Sequence, residues 1–389
     1  MNLRKRAAAI ALAVIMVIGL AAAIAPSASA LTIISDDNYD YAVISDEALA
    51  LYRYKGTATE LELPEQYAGR EIIGIYSDCF RESGLVSAAI PENYTFIGES
   101  AFYGCDSLTA IIIPKNISSI GMLAFCDCTS LGTFDISGAE SLKTLPEAVC
   151  QGDIMLKSVT IPPALTKIDD NAFSNTGLTS VTIPESVTKL GIAVFSGCGD
   201  LASAELPSAL TEIKPYLFAD CTKLAAITFP EGLTKIGASA FENCTLLTGI
   251  EFNNKLTEIG EKAFYNASSL DSLFIPDTVT AIGAEAFAPM SYSKEIDITC
   301  YEGSYAADYC YNNNVEKLTK TTKLLGDVNL NGEVEILDVT YIQKYKIGET
   351  DKIPSYRAKA LADTNGDGEI AIRDATLIQM FIAGIITEF

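Results

Sequence analysis

Between Ile75 and Phe287 one pattern of apolar and polar positions recurs along the chain. An aliphatic residue returns at Ile75, Ile97, Ile120, Leu145, Ile168, Leu190, Ile213, Ile236, Ile259 and Ile282, at intervals of 22 to 25 residues. Five residues beyond these anchors stand Phe80, Phe102, Phe125, Phe173, Phe195, Phe218, Phe241, Phe264 and Phe287. Cys150 alone breaks the column, in the unit with the longest spacing. Each unit closes on a phrase such as LTSVTIP (Leu178–Pro184), LAAITFP (Leu224–Pro230) or LDSLFIP (Leu270–Pro276). Apolar residues at the first, fourth and sixth places predict one short strand, which the proline ends. One such unit cannot bury its apolar face, whereas stacked units bury continuous ladders of Ile, Leu and Phe.

A period near 23 residues carrying this strand phrase predicts an α/β leucine-rich-repeat solenoid of about ten coils with short parallel strands. Units such as LTKIGASAFENCTLLTGIEF (Leu233–Phe252), with their repeated AF-x-x-C motif, resemble the BspA-type leucine-rich repeats of bacterial surface proteins. The resemblance runs from about Asn38 to Val315 and implies an adhesive or ligand-binding role without catalysis. The stretch NYDYAVISDEALALYRYKGTATELELPE (Asn38–Glu65) resembles that family's amino-terminal cap, expected as two strands, and ITCYEGSYAADYCYNNNVEKLT (Ile298–Thr319) its carboxy-terminal cap. An open solenoid end exposes core and strand edges, so caps are required.

Beyond the repeats, DVNLNGEVEILD (Asp327–Asp338) and DTNGDGEIAIRD (Asp363–Asp374) share oxygen side chains at places one, three and five, glycine at six and aspartate at twelve. Ca²⁺ takes six to eight oxygens, and glycine permits the turn that folds them inward. Loop one offers Asp327, Asn329, Asn331 and Asp338, with the Glu333 carbonyl as backbone donor and Glu335 acting through water. Loop two offers Asp363, Asn365, Asp367 and Asp374, with the Glu369 carbonyl, and Ala371 leaves one place to water. The two loops lead into matching segments, ILDVTYIQKYKIG (Ile336–Gly348) and IRDATLIQMFIAG (Ile372–Gly384), expected to be helices.

Aspartate at place twelve and the lack of a helix leading into the first loop depart from an ordinary EF-hand and resemble the type I dockerin family, from about Gly326 to Gly384. The resemblance implies a small all-α module with two Ca²⁺-binding F-hand loops. Its expected partner is a cohesin module on a scaffolding protein, as in the cellulosomes of anaerobic plant-fibre-degrading bacteria. The family's recognition places fall on Ile336, Leu337, Gln343 and Lys344 in the first copy and on Ile372, Arg373, Gln379 and Met380 in the second. Apolar and glutamine places coincide between copies, while Leu337 and Lys344 stand against Arg373 and Met380, so the two faces are not chemically identical.

The chain opens with MNLRKR, an apolar run from Ala7 to Ile24 and the small-residue ending APSASA. That order predicts a cleaved signal peptide over residues 1–30, and hence a secreted, extracellular or scaffold-attached product without a remaining membrane span. The further divisions expected are 31–74 for the amino-terminal cap and entry into the first coil, 75–297 for the solenoid, 298–316 for the carboxy-terminal cap, 317–325 for a polar linker and 326–389 for the dockerin. A net charge of −23, with Arg4, Lys5 and Arg6 inside the leader, repels nucleic acid and suits divalent cations. Absence of histidine excludes imidazole-based catalysis and most zinc sites.

Of ten cysteines, Cys105, Cys128, Cys198, Cys221 and Cys244 stand eight residues past an anchor, and Ala267 takes the same place one coil later. A fixed register predicts small packed thiols, and Cys300 with Cys310 is the candidate disulfide pair. Glu205 and Glu251, outward on strands two coils apart, stand about 10 Å from each other by usual strand spacing. That exceeds the ~6.5–9.5 Å of an inverting glycosidase pair, so no enzyme is expected. The repeats are expected to be a binding arm for an unknown protein or glycan. The alternatives are a spacer without its own ligand and, behind it, a dockerin-borne polysaccharide hydrolase.

Overall fold

A computed structural model of the chain describes residues 31–288, 296–313, 318–321, 324–330, 333–348, 353 and 356–389. The leader expected at 1–30 lies outside them. The repeats form a β-solenoid in which most coils contribute two strands where one was expected. One ladder carries the terminal phrases, for example Ser180–Thr182, Ser203–Glu205 and Ala226–Ile227, paired in parallel. The other carries the anchors, with Ile236 beside Ile259 and Ile259 beside Ile282, also in parallel. These anchor strands are only two residues long, too short to show alternation in the sequence. Turns, not helices, close the coils, so the solenoid's helical content is confined to its carboxy-terminal cap.

The phenylalanine column becomes a stack. Ring centroids lie 5.0 and 5.1 Å apart from Phe80 through Phe102 to Phe125, and 5.2 to 6.0 Å apart from Phe173 to Phe287. Glycine directly after an anchor is dictated by the approach of neighbouring coils. A Cβ on Gly121 would stand 2.3 Å from the Glu99 nitrogen, and one on Gly260 2.5 Å from that of Ala238. Threonine hydroxyls add a polar ladder, Thr257 donating to the Thr234 carbonyl at 3.0 Å and Thr234 to that of Thr211 at 2.9 Å.

All ten cysteines are buried free thiols. Those in the repeated register donate to a phenylalanine carbonyl of the preceding coil, as Cys221 does to Phe195 at 3.2 Å and Cys244 to Phe218 at 3.1 Å. The column therefore selects a small side chain carrying a donor, which composition alone does not reveal. The candidate Cys300–Cys310 disulfide is not formed. Burial raises both thiols, that of Cys310 to about 12.

The irregular unit interrupts several ladders together. No strand forms over residues 155–166, the anchor ladder restarts at Thr144–Leu145, and Cys150 opens the phenylalanine stack. Asp153 occupies the cysteine register there, fully buried, its Oδ1 accepting the Cys128 N–H at 2.8 Å and its Oδ2 without a hydrogen-bond partner among the described residues. Burial raises its carboxyl to about 9, Asp127 adding to the rise and the Cys128 N–H and Cys150 thiol opposing it.

Three strands, not two, build the amino-terminal cap: Ile33–Ser35, Tyr39–Val43 and Ala48–Tyr54 pair antiparallel, and the last lies parallel to Arg70–Ile75. The extra strand precedes the stretch that resembles a cap. At the other end, strand Asp297–Tyr301 and helix α1 (Tyr305–Asn312) close the core, with Tyr309 meeting Phe287 edge-on at 6.3 Å. The stretch 317–325 is not wholly a linker, because Leu318–Thr321 pairs in parallel with Asp297–Tyr301 as a final strand. Its alternation of one apolar residue with threonine and lysine reads as polar coil until an adjacent strand edge is there to receive it.

Candidate calcium-binding and docking module

Three helices follow: α2 (Ile336–Lys346), α3 (Tyr356–Ala362) and α4 (Ile372–Ile382). A short core of Val328, Val339, Ile342, Ile353, Ala358, Ala362, Ala375 and Ile378 joins them. The duplication seen in sequence is also structural. Val339 and Ile342 on α2 match Ala375 and Ile378 on α4 in burial, and Thr340 and Thr376 each donate to the carbonyl four residues back, at 3.0 and 2.9 Å. Helix α3 is not legible in the sequence, because at seven residues it is too short to establish a helical period.

The aspartate at place twelve does the same work in both loops. Asp338, at the start of α2, is fully buried; one oxygen accepts from Val328 and Asn329 at 2.8 and 2.9 Å, the other from Glu335 at 2.8 Å. Asp374, equally buried at the start of α4, accepts from Thr364 at 2.9 Å and from Ala371 at 2.8 Å. Each carboxylate thus ties the first residues of its loop to the helix that follows and completes that helix's first turn.

Loop two curls around its acidic side chains. Asp363 accepts from the Asp367 and Gly368 N–H groups at 3.2 and 2.9 Å, Asn365 from Asp367 at 2.9 Å, and Asp367 from Glu369 at 2.9 Å. The Asn365 amide donates to Asp367 at 3.0 Å, so places one, three and five sit together. In loop one Asp327 is almost fully buried, and the Asn329 amide donates to half-buried Glu335 at 3.3 Å. The Glu333 and Glu369 side chains are exposed, and Asn331 lies outside the described residues.

Among the described residues no three His, Cys, Asp or Glu side chains are gathered as a preformed metal cage. A calcium loop also draws on amide and carbonyl oxygens, which such a trio leaves out. The chemistry of the donor set fits a hard cation in another respect. Asp327 and Asp338 are both buried in one loop, and burial raises the Asp338 carboxyl, with the charge of Asp327 adding to it and three backbone N–H groups opposing. Two carboxylates buried in one loop are the kind of hard oxygen donors that a divalent cation takes.

The eight expected recognition residues lie at the surface of α2 and α4. Ile336, Leu337 and Ile372 are 58, 52 and 54 % exposed, large values for apolar side chains. Gln343, Lys344, Arg373 and Gln379 are exposed and Met380 half-buried. Exposed Ile347, Ile382 and Ile385 extend this apolar character beyond the eight positions. Ile382 and Ile385 stand in the apolar stretch FIAGII, which so small a module cannot wholly bury, whereas Ile347 stands alone. On the solenoid, the outward Thr182 donates to Glu205 at 3.1 Å, and Glu251 lies in a cleft beside Phe274 and Arg357. No helix among the described residues is long and apolar enough to cross a membrane.

Comparison with known proteins fits this division. The family described as "BspA type Leucine rich repeat region (6 copies)" matches residues 73–202 and 188–318, and "Dockerin type I domain" matches 325–383. No curated protein is significantly similar to the chain. A leucine-rich repeat protein from Bacteroides ovatus is 24 % identical, covering 77 % of this chain and 69 % of that one with a TM-score of 0.57, and so shares the fold. A leucine rich cell surface protein from Faecalibacterium prausnitzii is also 24 % identical, covering 75 % of this chain and 96 % of its own, with a TM-score of 0.47. Type I dockerins are calcium-binding modules that bind cohesins, and neither they nor the repeats are catalytic. The chain belongs to the BspA-type leucine-rich-repeat family and carries a type I dockerin at its carboxy-terminal end.

Proposed function

We propose that this is a secreted, non-catalytic binding protein whose module takes two Ca²⁺ ions and attaches the repeats to a cohesin of a cellulosome-like scaffold. The observation that carries this reading is the pair of buried aspartates, Asp338 and Asp374, each closing a loop onto a helix with exposed isoleucine at its first position. One ion would be held by Asp327, Asn329, Asn331, Asp338, the Glu333 carbonyl and, through water, Glu335. The other would be held by Asp363, Asn365, Asp367, Asp374 and the Glu369 carbonyl. The loop carboxylates would be neutralised by bound Ca²⁺, which would let these sequences, with little core of their own, fold. Docking would use Ile336, Leu337, Gln343 and Lys344 on one copy and Ile372, Arg373, Gln379 and Met380 on the other.

For the repeats, a binding arm for a protein or glycan is favoured over a spacer, because outward positions such as Ser180, Thr182, Ser203 and Glu205 stand exposed side by side on one parallel ladder. Calorimetric titration of the full chain with Ca²⁺, beside capture on a panel of cohesins with and without chelator, tests the reading. Two ions bound and capture lost in chelator are expected. Capture that persists in chelator, or no bound Ca²⁺, refutes it.

A further inference from the structure

The strands that close the solenoid carry an anomaly that the repeat does not explain. In the outward register occupied by Thr182, Glu205, Thr228 and Glu251 on earlier coils, the last full coil has Phe274. Tyr301, on the next strand, meets its ring edge-on at 5.3 Å. An outward aromatic pair at the end of a solenoid is an apolar patch unless something covers it.

What covers it is helix α3, the segment between the two calcium loops. The Arg357 guanidinium lies 5.0 Å from the Phe274 ring centroid and 5.9 Å from that of Tyr301, and donates to the Thr321 hydroxyl at 3.1 Å. These three partners come from three adjacent parallel strands. Two residues on, Lys359 pairs with Glu231 at 2.9 Å and lowers the Glu231 carboxyl. A planar, delocalised cation is the side chain suited to lie over aromatic faces while still donating a hydrogen bond. Among the described residues, none of the eight expected recognition residues lines the clefts beside Glu231 and beside Phe274, where solenoid and module meet.

We propose that the terminal strands, with Phe274 and Tyr301 at their centre, are a seat for α3. The seat mounts the calcium module in one orientation and leaves both cohesin-facing helices outward. The inference rests on the docking function proposed above and adds that the repeats are presented rigidly instead of trailing from a loose tether. Because α3 is held between the two loops, the seat is occupied only while they are folded, so Ca²⁺ controls the mounting as well as the docking.

Small-angle scattering of the full chain in excess Ca²⁺ and in chelator tests this, with wild type beside Arg357→Ala and Phe274→Thr. The threonine variant restores the residue type that earlier coils already fold with. A single compact particle is expected for the wild type in Ca²⁺. Both variants should have a larger radius of gyration in Ca²⁺ while still binding the same number of ions and the same cohesin, and the wild type in chelator should expand likewise. Identical scattering of wild type and variants in Ca²⁺ overturns the seat, and a wild type that stays compact in chelator overturns its dependence on calcium. Failure to bind Ca²⁺ at all, read by calorimetry on the same samples, instead overturns the docking function and the calcium control together.

Discussion

Four carboxylates are fully or almost fully buried among the described residues, one in the solenoid and three in the module, and the two regions accommodate them differently. Asp153 replaces a thiol in a ladder of otherwise apolar coils, and burial raises its carboxyl to about 9, so it is neutral at pH 7. Asp327, Asp338 and Asp374 sit in loops rich in further oxygens, where Asp338 and Asp374 accept from backbone N–H groups and where a divalent cation would add compensation. The solenoid is ordered by stacking apolar residues and tolerates one acid by protonating it. The module has a small core, and under the reading proposed above its order depends on bound Ca²⁺.

The largest effect expected is on the module alone. Chelation should abolish cohesin capture while the solenoid keeps its β-sheet signal, read by pull-down and by circular dichroism of the full chain. Asp374→Ala should lower the calcium stoichiometry from two to one by calorimetry, because that carboxylate holds both ends of loop two. Phe218→Ala should cost about 3–5 kcal/mol in solenoid stability by removing a ring stacked on both sides, without altering calcium affinity.

A smaller effect separates the two kinds of buried acid. For Asp153 the folded carboxyl is raised above its unfolded value near 3.8, so its contribution is fully present below about pH 4. It is lost as pH rises toward about 9, because the unfolded chain gives up the proton first. Asp153→Asn should remove a decline of about 1.4 kcal/mol per pH unit between those limits, measured by denaturant melts at pH 5 and pH 7. Smallest of all, Thr257→Val should cost about 0.5–1 kcal/mol, the worth of one hydrogen bond in the threonine ladder.

The repeat and both calcium loops are legible in the sequence because each rests on residues at fixed intervals: anchors and phenylalanines in one region, oxygens and glycine in the other. The second strand of each coil is not, since pairs such as Lys235–Ile236 acquire strand character only from the coils beside them. Helix α3 and strand Leu318–Thr321 escape for the same reason, being short segments that take their form from partners remote in sequence. Phe274 and Tyr301 were visible as residues, but their cover by Arg357 depends on how the two units meet. The spacing and the missing phenylalanine at Cys150 marked the irregular coil, whereas the orphaned Asp153 oxygen is a fact of packing.

Amide hydrogen exchange along the full chain, in saturating Ca²⁺ and then in chelator, compares the two regions most directly. Metal-dependent order in the module predicts that protection across residues 326–389 collapses in chelator while that of residues 75–288 is unchanged. Protection in the module that survives removal of the ion would contradict it.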